Sequence, residues 1–321
     1  MNCRGLCLAH WHTVREAYVN SLSIQFILLR MLQSVCHMAA WACLAMPSAQ
    51  AAVQESMFQL RAQVTNMYGK TIEQAFDVTV FVDDAPSKAL KPIAIVMHGR
   101  AADAVKRATM GISTYKTNAQ WLAEQGFVVA VPTRIGYGVS GGEDAEDSGS
   151  CSGKNYPPAY QAAADQTLVV LRHMQQRPDV DKHRTVVIGQ SFGGATAMTL
   201  ASMNPEGVKA AINFAGGGGG NPVTQPGQPC AAHRLEQMFG NYGKTARIPT
   251  LWIYTENDQW MGAKYPVQWH QAFVNAGGVG EFVQFGPNGK DGHGLFTQAP
   301  EVWRPKVQAF LKQQGLLPSN D

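Results

Sequence analysis

The sequence predicts an α/β protein with a mainly parallel central sheet and helices on both faces. Two observations carry that expectation: apolar strand-like runs alternate along the chain with helical patterns, and most of those runs are continuous rather than alternating in polarity. A continuous apolar run marks a strand covered on both faces. A third observation bounds the domain count. The 321 residues are 45% hydrophobic and show no internal repeat, coiled coil or long charge run, so residues 52–321 read as a single domain.

Taken in order, residues 52–75 have mixed polarity and read as a leader onto the domain. Residues 76–82 (FDVTVFV) alternate like an exposed edge strand. Continuous runs follow at 92–97 (PIAIVM), 127–131 (FVVAV), 185–188, 208–214 and 249–254 (PTLWIY), and 281–285 is also strand-like. Helical patterns lie between them at 117–125, 159–174, 192–203 and 265–276, with a last one at 302–313. Such βαβ alternation implies right-handed crossovers. Two loops interrupt the rhythm: 136–158, rich in Gly, Ser and acids, and 216–228, which opens with five glycines. Both follow strands. In open α/β sheets the ligand crevice lies outside the carboxyl ends of the strands, so both loops are expected to border it.

The N-terminal segment has the features of an export signal. Residues 35–46 (VCHMAAWACLAM) are apolar but shorter than the ~20 residues of a spanning helix, and Ala49-Gln50-Ala51 offers a cleavage site. Cleavage after Ala51 is expected, with Met31 as a possible alternative start and an uncleaved anchor as the competing reading. The mature chain is then expected to be secreted or periplasmic, with no stable membrane span. Its 23 basic and 22 acidic residues leave no basic stripe for nucleic acid. Two cysteines remain, Cys151 and Cys230, and an even pair in an oxidising compartment suggests a disulfide rather than two free thiols.

Residues 185–198 read TVVIGQSFGGATAM: a β-branched run, a glycine-flanked serine, then small residues suited to a helix. That is the pattern of a nucleophile elbow. Glycines two before and two after Ser191 let neighbouring backbones pass while the hydroxyl is lifted out of the turn. A serine hydroxyl is a poor nucleophile at neutral pH and needs a base and a group to orient that base. Asp258, just beyond 249–254, and His293, in the loop Gly292-His293-Gly294, follow in suitable order. Glu256 and Asp291 are alternative acids, and His233 an alternative base. His173, His183 and His270 sit on or beside helical segments, where solvated or packing roles are expected, and His98 adjoins the turn after 92–97. The amides of Phe192 and Arg100 are candidate donors to a developing oxyanion. The Arg100 side chain is expected to face solvent or to pair with Asp103.

Together these residues resemble the α/β-hydrolase superfamily, in particular its dienelactone-hydrolase-like esterases. The resemblance covers residues 76–311. It rests on His98-Gly99, the elbow at 189–194, Asp258 after a late strand and His293 before the last helix. It implies the α/β-hydrolase fold, Ser191 as nucleophile, His293 as base then acid, Asp258 as its orienter, and the amides of Phe192 and Arg100 as the oxyanion hole; the residues themselves call for no cofactor or metal. One departure stands out: dienelactone hydrolase has a cysteine nucleophile where this chain has Ser191.

The expected activity is cleavage of a small-molecule carboxylic ester through an acyl-enzyme. A peptidase or amidase on the same machinery and a non-catalytic binding protein are the alternatives. Tyr137, Trp260 and Met261 are expected to line the substrate site. Glu143, Asp144, Glu146 and Asp147 form an expected acidic patch near its mouth, most simply solvated, and disfavouring anionic substrates if it acts. The glycine run 216–220 lacks the spacing of a nucleotide loop, and residues 52–321 hold no His-x-x-x-His or Cys-x-x-Cys pair.

Overall fold

The computed structural model describes residues 52–85, 89–101 and 103–318; the segment read as an export signal lies outside the described residues. Eight strands form one sheet in the order β1-β2-β4-β3-β5-β6-β7-β8. They are β1 (Val53–Thr65), β2 (Thr71–Asp83), β3 (Lys91–Met97), β4 (Val128–Thr133), β5 (Val180–Gln190), β6 (Val208–Phe214), β7 (Thr250–Thr255) and β8 (Gly280–Phe285). From β4 to β8 every pairing is parallel, whereas β1 pairs with β2 and β2 with β4 in antiparallel fashion.

The N-terminal part differs from expectation. Residues 52–75 are not a leader. They supply β1 and the start of β2, a hairpin paired along its length from Val53↔Asp83 to Thr65↔Thr71. Its turn is held by Asn66 Oδ1, which accepts from the amides of Tyr68 and Lys70, with Gly69 at φ 77°. β2 is therefore interior, and Phe76, Val78, Val80 and Phe81 are buried. The alternation of Phe58, Leu60, Ala62 and Val64 is the signal for β1; Ala62 and Val64 are buried, and the other two pack against the same core.

Two hydrophobic cores sandwich the sheet. Along β3, Ile93, Ile95 and Met97 enter one core and Ala94 and Val96 the other, as the two-residue period of a strand requires. The first core is covered by Tyr156–Met174, Phe192–Met203, Ala232–Thr245 and Lys264–Asn275, the second by Lys116–Glu124 and Pro300–Gln313. With the short helices Ala104–Ala108 and Leu295–Gln298, these become α1 to α8 in chain order: Ala104–Ala108, Lys116–Glu124, Tyr156–Met174, Phe192–Met203, Ala232–Thr245, Lys264–Asn275, Leu295–Gln298 and Pro300–Gln313. Of the longer helices, α5 (Ala232–Thr245) goes unmarked in the sequence reading, as do the short α1 and α7. Helix α5 buries Leu235, Met238 and Phe239 at helical spacing.

Candidate active site

Ser191 sits between β5 and α4, an interior strand and a helix buried along most of its length. Its backbone adopts φ 57° and ψ −120°, a conformation that costs a non-glycine residue about 1–3 kcal/mol. The surroundings hold it there. A Cβ on Gly189 would lie 2.0 Å from the Gly193 carbonyl oxygen, and one on Gly193 would lie 2.3 Å from that of Met97. The Ser191 amide donates to Phe214 O of β6 at 2.8 Å, anchoring the turn to the neighbouring strand.

Ser191 Oγ lies 3.0 Å from His293 Nε2, and His293 Nδ1 lies 2.9 Å from Asp258 Oδ2. With Nδ1–H donating to the carboxylate, Nε2 is left to accept the serine proton. The other carboxylate oxygen, Oδ1, accepts from the amides of Trp260 and Met261 at 2.8 and 2.9 Å. Asp258 and His293 are both buried. So Asp258 has one oxygen fixed by the backbone of its own turn and the other directed at the imidazole.

The loop carrying His293 meets the turn carrying Asp258 at close range. Asp291 Oδ1 accepts from the amides of both Gln259 and His293, which makes this residue a staple between the two loops. Glu256 is exposed, and His233 is exposed on the first turn of α5. Neither joins the cluster.

Gly99 abuts the elbow, since a Cβ there would lie 3.2 Å from Ser191 Cβ. Among the described residues, neither the Arg100 nor the Phe192 amide makes a backbone hydrogen bond outside regular elements, and Ser191 provides α4 with no side-chain cap. A chain of bonds that sequence reasoning missed fastens this region. The Gly99 amide donates to Tyr115 Oη, Tyr115 Oη donates to Gln190 Oε1, and Gln190 Nε2 donates to the His293 carbonyl. Burial pushes the Tyr115 phenol up to about 12, so it stays protonated and able to donate.

Beneath the turn lies a buried polar network. Arg134 and Glu146 form an ion pair, both side chains being 0% exposed. Arg134 also donates from Nη1 to the His98 carbonyl and from its amide to His98 Nε2, while His98 Nδ1 donates to Gly99 O. Burial, aided by the Arg134 charge, pushes the His98 pKa well down and keeps the ring neutral. The Arg100 guanidinium makes two bonds to Asp144, at 2.7 and 2.6 Å, and a third to Tyr137 Oη. Burial disfavours that charge, but the Asp144 bond and the neighbouring anions outweigh it and raise the pKa.

These contacts correct three expectations. Arg100 pairs with Asp144 rather than facing solvent or binding Asp103, which instead caps α1 through the Lys106 amide. Tyr137 does not line the site: it is fully buried and donates to Glu146, because a buried phenol needs an acceptor. Nor is there a free acidic patch. Glu146 and Asp144 are paired with arginines, Glu143 with Lys70, and Asp147 accepts from Tyr68.

Two spaces meet at Ser191. One is a recessed compartment of about 230 Å³ whose wall includes Phe192, Met261, Lys154 and both cysteines. The other is a broader cleft of about 940 Å³ lined by Gly99, Ile112, Tyr115, Val223 and His293. Trp260 borders both, its indole stacked on His293 at 5.3 Å between ring centroids. Cys151, in the first long loop, and Cys230, just beyond the second, are joined in a disulfide that ties the two walls together at the compartment. The glycine run permits close packing there: a Cβ on Gly220 would lie 2.5 Å from the Trp260 carbonyl oxygen.

The sequence model of the dienelactone hydrolase family matches residues 92–302. Among solved structures, the acylaminoacyl peptidase of Pyrococcus horikoshii is similar over 85% of this chain and 43% of its own, at 13% identity and a TM-score of 0.58. A puromycin-hydrolyzing peptidase of Mycobacterium tuberculosis is similar over 86% of this chain and 42% of its own, at 12% identity and a TM-score of 0.55. The esterase Pf2001 of Pyrococcus furiosus is similar over 80% of this chain and 93% of its own, at 14% identity and a TM-score of 0.51. The chain spans less than half the length of the two peptidases. At these identities the likeness is one of fold, and that fold is the α/β-hydrolase fold.

Proposed function

The chain belongs to the dienelactone hydrolase family, and from that premise we propose that it is a serine hydrolase cleaving carboxylic esters through an acyl-enzyme at Ser191. The observation that carries this reading is the unbroken line of contacts from Ser191 Oγ through His293 to Asp258, at 3.0 and 2.9 Å. Ser191 Oγ attacks the ester carbonyl as its proton passes to His293 Nε2. Asp258 then stabilises the imidazolium and holds its orientation. The amides of Phe192 and Arg100 receive the developing negative charge, each such donor being worth about 3–4 kcal/mol. Collapse of the tetrahedral intermediate breaks the ester C–O bond, and His293 returns the proton to the departing alcohol. Water activated by the same histidine then frees the acid and restores Ser191.

Trp260 and Met261 contribute to the substrate site under this reading, and the site draws on no cofactor. Amide cleavage is the second reading, favoured by the fold likeness to the two peptidases. Matched p-nitrophenyl esters and p-nitroanilides separate the two by their relative kcat/KM. The disulfide supports maturation in an oxidising compartment, secreted or periplasmic.

The test is a panel of p-nitrophenyl esters assayed with wild type and Ser191→Ala. The variant is expected to lose roughly 10⁴-fold or more in kcat. Activity within tenfold of wild type would remove Ser191 from the chemistry.

A further inference from the structure

The two spaces at Ser191 are not equivalent, and the histidine distinguishes them. In acyl transfer the proton from Ser191 must be handed to the departing alcohol, so that alcohol has to leave on the side of His293. His293 lines the 940 Å³ cleft and is absent from the wall of the 230 Å³ compartment. The alcohol half of the ester therefore belongs in the cleft, and the acyl half in the compartment. At ~30 Å³ for each water-sized group, the compartment holds about seven or eight such groups. That is the size of a short acyl chain.

The compartment wall also carries a cation. Lys154, half-buried at the end of the loop before α3, lines it together with Ser148 and the disulfide. Its Nζ donates to the Gly149 carbonyl at 2.6 Å and to Ser148 Oγ at 3.2 Å, both neutral acceptors. No salt bridge among the described residues includes it. Asp147, the acid that acts on it most strongly, is already bonded to Tyr68 and the Gly149 amide. The Arg100 guanidinium, on the same wall, is committed to Asp144. An ammonium group beside a reaction centre, held by two neutral oxygens and facing the Tyr156 ring 6.0 Å from its centroid, retains capacity for an anionic partner.

We propose that the acyl half of the substrate is a short chain bearing a negatively charged group, held by Lys154 in the small compartment while the bulkier alcohol leaves through the His293 cleft. This rests on the hydrolase reading above and narrows it to half-esters of short dicarboxylic acids. In the transfer, the bond from the acyl carbon to the alcohol oxygen breaks and one to Ser191 Oγ forms. The serine proton ends on the alcohol.

The test compares mono-p-nitrophenyl glutarate with p-nitrophenyl 5-methylhexanoate, a neutral ester of the same shape. Wild type is expected to favour the glutarate by about tenfold or more in kcat/KM, the worth of a charged hydrogen bond. Lys154→Gln brings that ratio to near one, and Lys154→Arg restores most of it. Among unbranched neutral esters, kcat/KM is expected to fall about tenfold from butanoate to decanoate as the chain outgrows the compartment. Equal use of the two matched esters by wild type, a preference that survives Lys154→Gln, or a rise toward decanoate would overturn the proposal. Calorimetric titration of glutarate into Ser191→Ala separates this claim from the one beneath it. Glutarate binding that Lys154→Gln abolishes, with no ester cleaved by wild type, supports the anchor and removes the hydrolase reading instead.

Discussion

At residue 292 a single methyl group would collide with the turn that carries Asp258. A Cβ there would lie 1.9 Å from Thr255 Oγ1 and 2.4 Å from Asn257 Oδ1, so only glycine lets the His293 loop close on the Asp258 turn. Gly292→Ala is expected to lower kcat about 100-fold, since a shift of roughly 1 Å in a reacting group costs about that much. Far-UV circular dichroism should stay as in wild type; a kcat within threefold of wild type would contradict the coupling. Ser191, Asp258 and His293 are legible in the sequence because each carries a local mark: glycines around a turn, or a carboxylate just past an apolar strand. Tyr115 and Gln190 carry none. Their bond joins residues 75 apart and exists only once α2 and the elbow have packed. Tyr137 misleads for the opposite reason: its position after β4 suggests the crevice, but its hydroxyl turns inward to Glu146.

At the scale of elements, the two long loops act as walls because the Cys151–Cys230 bond joins the first to the segment just beyond the second, across 79 residues of chain. In the chain-entropy model, closing a loop of that length contributes roughly 4.5 kcal/mol. Both sulfur-bearing residues also border the compartment beside Ser191. Graded reduction of the purified protein is therefore expected to raise KM for an ester substrate before far-UV ellipticity changes. Simultaneous loss of affinity and secondary structure would mean that the bridge serves the fold alone. The parallel strands were legible as continuous apolar runs, since burial on both faces erases the polar alternation. The β1–β2 hairpin was obscured because most of β1 is exposed and only Ala62 and Val64 are buried within it. In α5 the signal is short, Leu235 to Phe239, and follows directly on a Gly- and Pro-rich loop.

For the whole molecule, the strand order could not be read from the chain. Runs of apolar residues state that strands are covered but not which neighbours they take, and β4 lies between β2 and β3 only through pairings remote in sequence. What the order achieves is convergence. β3, β5 and β7 end on one rim, and the segments beyond them carry Gly99–Arg100, Ser191 and Asp258, while the loop after β8 brings His293. The buried Arg134–Glu146 pair ties the loop after β4 to the same rim through His98. We expect this convergence to activate one serine. Peptide mapping by mass spectrometry after treatment with a fluorophosphonate reads that activation. Folded wild-type protein is expected to carry a single adduct on Ser191, absent in His293→Ala; an unlabelled wild type, or an adduct on another residue, would mean that the convergence does not activate Ser191.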